Sequence, residues 1–279
     1  MIVLSRLLDQ PSLIQATIAQ AFINTKQPSY HFSSKVHPDS TAQDIVEELY
    51  FKSQWSVCMS STRQIVFIDG VGGKRYMRGK FVRYFERRGY TVRYFDYRVS
   101  SQPLDEIKKN LIEFLSSVAR AGAYHAVGYS FGGVLLRSLN VQLREHNLQP
   151  ERVVLLASPL RASRLASRLR DWKIYRAMTG ECGQFAADED CMNKVPMLDI
   201  PTAHVYGTWP WLGAFGLFFG FGLPHDGMVA ADEAIPSSLA LSAPISASHA
   251  FIPSNDAALK AIEQCLTVHQ LTTCVNHAR

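Results

Sequence analysis

The sequence predicts an α/β fold with a mostly parallel central sheet and helices on both faces. Short apolar runs rich in β-branched residues recur along most of its length. Stretches of helical spacing separate them, and glycine or proline marks the joins. A single chain of 279 residues, 47% of them hydrophobic, has the material for one large domain of this kind.

The first clear strand is QIVFID, 64–69, a continuous apolar run of the sort buried on both sides of a parallel sheet. Helical spacing follows over 77–88 and stops at Gly89, a suitable C-cap. TVRYFD, 91–96, is the second strand, and Pro103 opens a helix over 103–119. YHAVGY, 124–129, is the third strand, with a helix over 133–146. RVVLLA, 152–157, and TAHVYG, 202–207, are further strands, and 239–245 holds a last short one. Residues 253–269 close the chain as a helix. The rhythm breaks at 160–198, which reads as an inserted cap, and at 1–60, which reads as a mostly helical extension of the same domain. No internal repeat or low-complexity tract is present.

Composition excludes several classes. Charged residues make up 19%, too few for a disordered chain, and the net charge of +5 is not gathered in one tail. No nucleic-acid partner is therefore expected. The five cysteines include no C-x-x-C pair, and no H-E-x-x-H cluster appears, so neither a metal nor a cofactor is expected. Cys182/Cys191 and Cys265/Cys274 each lie nine residues apart and suit a local disulfide, but the odd count favours reduced thiols. The first residues lack the uninterrupted apolar core of an export signal, and the apolar stretch 209–223 is short and glycine-rich for a membrane span. A soluble, cytoplasmic protein is the expectation.

The third strand runs into Gly128-Tyr129-Ser130-Phe131-Gly132, then a helix. G-x-S-x-G between strand and helix is the pattern of a nucleophile on a sharp turn, where larger flanking side chains would strike the backbone. Ser130 is the candidate nucleophile. The first strand ends in Asp69-Gly70-Val71-Gly72-Gly73. The amide of Val71 and that of Phe131, next after the serine, are the candidate oxyanion donors.

Chain order on such a site is serine, acid, histidine. His249 sits in a loop before the last helix, where a base reaches the sheet edge, and His225 is its main competitor. His204 lies inside a strand, and His269 and His277 lie in the tail. Asp226, in HDGMV, precedes His249 by 23 residues and is the candidate acid, with Asp232 and Glu233 as nearby alternatives.

With these motifs placed, the chain resembles the α/β-hydrolase superfamily, and within it lipase-like bacterial members related to the GPI inositol-deacylase type. The resemblance rests on VFIDGVGG, VGYSFGG, LLASPLRAS, HDGMV and SHAFI. It implies an α/β-hydrolase fold. In such lipases a D-G-x-V segment carries the acid and a short S/G-H segment the base, which implies those roles for Asp226 and His249. Three pieces depart from the usual pattern: Asp69-Gly70 for His-Gly, Phe131 for Met, and Ala157-Ser158-Pro159 for Gly-Thr-Pro. None removes a catalytic group, but the substrate stays open.

The expected function is hydrolysis of a carboxylic ester, of a small molecule or a lipid, through an acyl-enzyme. An acyltransferase or thioesterase would use the same parts, and a non-catalytic binding protein would use the same fold. The loop 209–223 is expected to meet the acyl group through Trp209, Trp211, Phe215, Phe218 and Phe219, with its glycines allowing motion as a lid. A loop packed on the core would read the same way. Two segments are rich in Arg and Lys, 77–88 and 161–176. They read either as solvated faces or as peripheral docking surfaces for anionic membrane. Oligomeric state is not legible.

Overall fold

A computed structural model describes residues 63–72, 78–210, 222–236 and 241–267. The extension over 1–60, Cys58, Cys274, His269 and His277 lie outside the described residues.

Six strands form one sheet: β1 (Gln64–Ile68), β2 (Thr91–Phe95), β3 (Tyr124–Tyr129), β4 (Val153–Leu156), β5 (Thr202–Gly207) and β6 (Ser242–Ile245). The order is β2-β1-β3-β4-β5-β6. Every neighbouring pair is parallel. In register, Val66 stands opposite Arg93 on one side and Ala126 on the other. The helices are α1 (Gly79–Glu86), α2 (Leu104–Ala121), α3 (Phe131–Ser138), α4 (Asn140–Glu145), α5 (Arg164–Leu169), α6 (Lys173–Ala187), α7 (Glu189–Asn193), α8 (Ala231–Ala234) and α9 (Asp256–Thr267).

Alternate strand residues feed two cores, as a pleated strand buried on both faces must. Val66, Ile68, Ala126 and Leu155 pack with Ile107, Leu111 and Leu115 of α2 and Val134 and Leu135 of α3. Ile65, Phe67, Val127, Val154 and Val205 pack with Phe81 and Phe85 of α1 and Leu259, Ile262 and Leu266 of α9. The parallel α/β architecture read from the apolar runs is therefore the one observed.

Differences from the sequence reading are local. The helix expected over 133–146 is two, because Leu139 leaves helical geometry at φ −99°, ψ 6°. Just before the break, the Ser138 hydroxyl donates to the carbonyl of Leu135 at 2.7 Å, a back-bond that bends helices. The closing helix is preceded by a 3₁₀ turn, Ile252–Ser254, that holds Pro253. The segment read as a cap carries α5, α6 and α7 between β4 and β5. It is tied to the sheet by Arg137, which is buried in α3. Its guanidinium donates to the carbonyls of Pro159 (3.3 Å), Val195 (2.9 Å) and Pro196 (3.1 Å). Burial pulls this arginine's pKa down to about 10.

Cys182 and Cys191 are free thiols, as is Cys265. No helix among the described residues is long and apolar enough to cross a membrane.

Burial also acts on the strand histidines. It lowers His125 and His204 to about 4 each. Both imidazoles accept protons more readily in the unfolded chain, near 6.5. Their contribution is thus present above pH 6.5 and lost as pH falls through 4. Urea denaturation of His204→Leu should show a stability loss between pH 6.5 and 4 shallower than that of the parent, by up to about 1.4 kcal/mol per pH unit. An identical slope would contradict the assignment.

Candidate active site

Ser130 stands between the end of β3 and the start of α3, with φ 52° and ψ −124°. That backbone is costly for an L-residue, and the surroundings hold it there. The Ser130 N–H donates to the Leu156 carbonyl of β4 at 2.9 Å. A Cβ on Gly128 would stand 2.5 Å from the Cα of Gly133, and one on Gly132 would strike the carbonyl oxygens of Ile68 and Asp69. Only glycine lets β3 turn so tightly into α3 beneath β1.

Asp226 follows β5 in a loop that folds back on itself. Its Oδ1 accepts the N–H groups of Met228 (2.9 Å) and Val229 (2.8 Å). Its Oδ2 meets Nδ1 of His249 at 2.7 Å. The backbone repeats the link, since the His249 N–H donates to the Asp226 carbonyl at 2.9 Å. Nε2 of His249 lies 2.9 Å from Oγ of Ser130. A carboxylate can only accept, so the Nδ1 proton points to Asp226 and Nε2 is left to accept from the serine hydroxyl. Both Asp226 and His249 are buried. The structure thus brings Ser130, His249 and Asp226 into one hydrogen-bonded chain.

The imidazole has a further support. Tyr129 donates its hydroxyl to the His249 carbonyl at 2.8 Å, and its ring lies 5.2 Å from the imidazole, tilted by 33°. The sequence held this residue inside the serine motif without assigning it a role.

The β1 loop lies against the serine. A Cβ on Gly70 would stand 2.6 Å from Cβ of Ser130 and 3.2 Å from its Oγ. Val71 and Phe131 both line the cavity above Ser130. Among the described residues neither amide meets a backbone acceptor. Arg78 fixes the base of the loop, reaching Asp69 at 2.6 Å and Asp96 at 2.7 Å. The Tyr97 hydroxyl adds a hydrogen bond to the Asp69 carbonyl at 2.9 Å. Burial pushes Asp69 up to about 6, against the pull of Arg78. Arg78 read in sequence as part of a basic face. It is buried instead, because three residues distant in sequence meet at the ends of β1 and β2.

The cavity measures about 310 Å³ and takes in His249 as well as Ser130. Its apolar wall comes from Phe131, Leu165, Ala166, Cys182, Ala186 and Val229. Four of these, Leu165, Ala166, Cys182 and Ala186, belong to the cap, where the sequence offered no signal beyond the broken rhythm. Of the aromatic residues expected at the acyl group, Trp211, Phe215, Phe218 and Phe219 lie outside the described residues. Trp209 is 54% exposed and does not line the cavity.

The other candidates are engaged elsewhere. Arg164 pairs with Asp232 through two hydrogen bonds, at 2.8 and 2.5 Å. Glu233 accepts the backbone N–H of Arg164 at 2.9 Å and that of Ala230 at 3.1 Å. His225 accepts the Gly227 N–H on Nδ1 at 3.2 Å, and burial lowers its pKa. His204 is buried in β5.

No protein-family model matches the sequence, and no curated protein matches it. Solved structures do match in fold. The mature form of the Bacillus licheniformis lipase BlEst2 aligns with a TM-score of 0.56 at 22% identity, over 75% of this chain and 94% of that one. Its propeptide form aligns at 0.55 and 19% identity, over 77% of this chain and 52% of that one. The metagenomic carboxyl esterase MGS0156 aligns at 0.58 and 15% identity, over 75% and 76%. With the six-stranded parallel sheet, these likenesses show that the chain has the α/β-hydrolase fold.

The contact at Gly70 can be tested directly. Gly70→Ala should react with an organophosphorus reagent at Ser130 at least 100-fold more slowly, because the added methyl displaces either the loop or the serine. Mass spectrometry of the modified protein measures this, and parent-like labelling would show that the loop does not bear on the serine.

Proposed function

We propose that the protein is a serine hydrolase that cleaves carboxylic esters through an acyl-enzyme on Ser130. The observation that carries this reading is the unbroken chain Asp226–His249–Ser130, at 2.7 and 2.9 Å, opening into a largely apolar cavity. The lipase and the carboxyl esterase that share the fold support it by their names.

In this reading His249 Nε2 takes the hydroxyl proton as Ser130 Oγ bonds to the ester carbonyl carbon. Negative charge moves to the carbonyl oxygen, where the amides of Val71 and Phe131 receive it. Asp226 holds the imidazole in orientation and stabilises its cationic form. The C–O bond to the alcohol then breaks, and His249 returns the proton to the leaving oxygen. Water, deprotonated by the same nitrogen, attacks the acyl carbon and releases the acid and free Ser130. The cavity wall of Leu165, Ala166, Cys182 and Ala186 favours an apolar acyl group.

Fluorophosphonate labelling and a panel of p-nitrophenyl esters from acetate to palmitate test the proposal. Labelling should vanish in Ser130→Ala. Turnover should fall about 10⁴-fold or more in Ser130→Ala and His249→Ala, and by a similar order in Asp226→Asn, with KM changed far less. A folded parent protein that neither labels nor turns over any ester would favour a non-catalytic binding role.

A further inference from the structure

The two basic segments of the sequence have different fates in the fold. In the first, Arg78 is buried between Asp69 and Asp96. Lys80 pairs with Asp256, and Arg88 with Glu263, each at 2.8 Å. Those three cations hold α1 to the rest of the domain. In the second, Arg164 is spent on Asp232. Arg168, Lys173 and Arg176 are exposed and form no ion pair among the described residues.

Beside these cations stand three large apolar side chains in water. Trp172 is 59% exposed, Ile174 73% and Met178 67%. Trp172 precedes α6, and Ile174 and Met178, four residues apart, share one face of it. At Gly180 (φ 54°, ψ −146°) the backbone leaves helical geometry, and around and beyond that kink Thr179, Cys182 and Gly183 line the cavity. The N-terminal tip of α6 thus exposes large apolar and cationic side chains, and the part around and beyond Gly180 lines the candidate substrate cavity.

We infer that this tip of α6 docks on an anionic lipid surface. Trp172, Ile174 and Met178 enter the interfacial layer, and Arg168, Lys173 and Arg176 lie at the level of the phosphates. Charge decides the occupant, since Arg168, Lys173 and Arg176 outnumber Asp171, the one acid over 168–178, and an excess of cations beside exposed apolar side chains complements an anionic bilayer. The inference deepens the ester-hydrolase reading, and rests on it, by making the substrate a lipid ester presented at that surface.

Sedimentation of the full chain with vesicles tests it, using phosphatidylcholine alone and phosphatidylcholine mixed with phosphatidylserine, at low and high salt. Binding should be confined to the anionic vesicles and fall at high salt. Lys173→Gln and Arg176→Gln should each weaken it about fivefold, and Trp172→Ser with Ile174→Ser should weaken it at low salt as well. Each variant should hydrolyse a short, soluble p-nitrophenyl ester at the parent rate, which also shows that it is folded. Three results would each overturn the docking surface: no binding to anionic vesicles at low salt, equal binding to neutral ones, or variants that bind like the parent. Loss of docking with ester turnover intact would leave the hydrolase reading standing. Docking without any ester turnover would remove that reading and leave the surface.

Discussion

The turn at Ser130 places one residue where L-amino acids rarely go, at φ 52° and ψ −124°, and its neighbours are arranged around that cost. Such a backbone stores on the order of 1–3 kcal/mol. What holds it is the burial of β3 on both faces and of α3 behind it, with Phe131, Val134, Leu135 and Leu136 all inside. Of the two other non-glycine residues with positive φ among the described residues, Ala157 at 48° lies just beyond the adjacent strand β4, and Asn147 at 54° follows α4, where asparagine tolerates that backbone. Strain is thus gathered at the carboxyl ends of the central strands, where the candidate chemistry lies.

From that turn the other groups follow by close approach. Gly70 brings the β1 loop against the serine, and Gly207 does the same for the acid, since a Cβ there would stand 2.6 Å from Cβ of Asp226. His249 is fixed from two sides, by Asp226 through ring and backbone and by Tyr129 through its hydroxyl and ring. The imidazole is held before any substrate arrives, which is the condition for general-base work without reorganisation.

Much of this was legible because its causes are local. Buried strands need continuous apolar runs, and a tight strand-to-helix turn needs glycines two residues either side of its centre. Those demands are written within a few residues of 64–69 and 128–132. The arrangement around Arg78 was not legible, because its partners Asp69 and Asp96 come from two different strand ends and a charged residue on a helical stretch reads as solvated. Nor was the cavity wall. Leu165, Ala166, Cys182 and Ala186 line it only because the cap folds back over the sheet, guided by the buried Arg137 and its three carbonyl partners. Composition drew attention to the aromatic loop instead, since a run of large apolar residues is visible without knowing where the chain goes.

A crystal structure of the protein after reaction with a phosphonate ester tests the central claim most directly. The account predicts phosphorus bonded to Oγ of Ser130, with its non-ester oxygen within hydrogen-bonding distance of the Val71 and Phe131 amides and its alkyl group against Leu165 and Ala186. Phosphorus on any other residue, or an oxygen turned away from both amides, would contradict it.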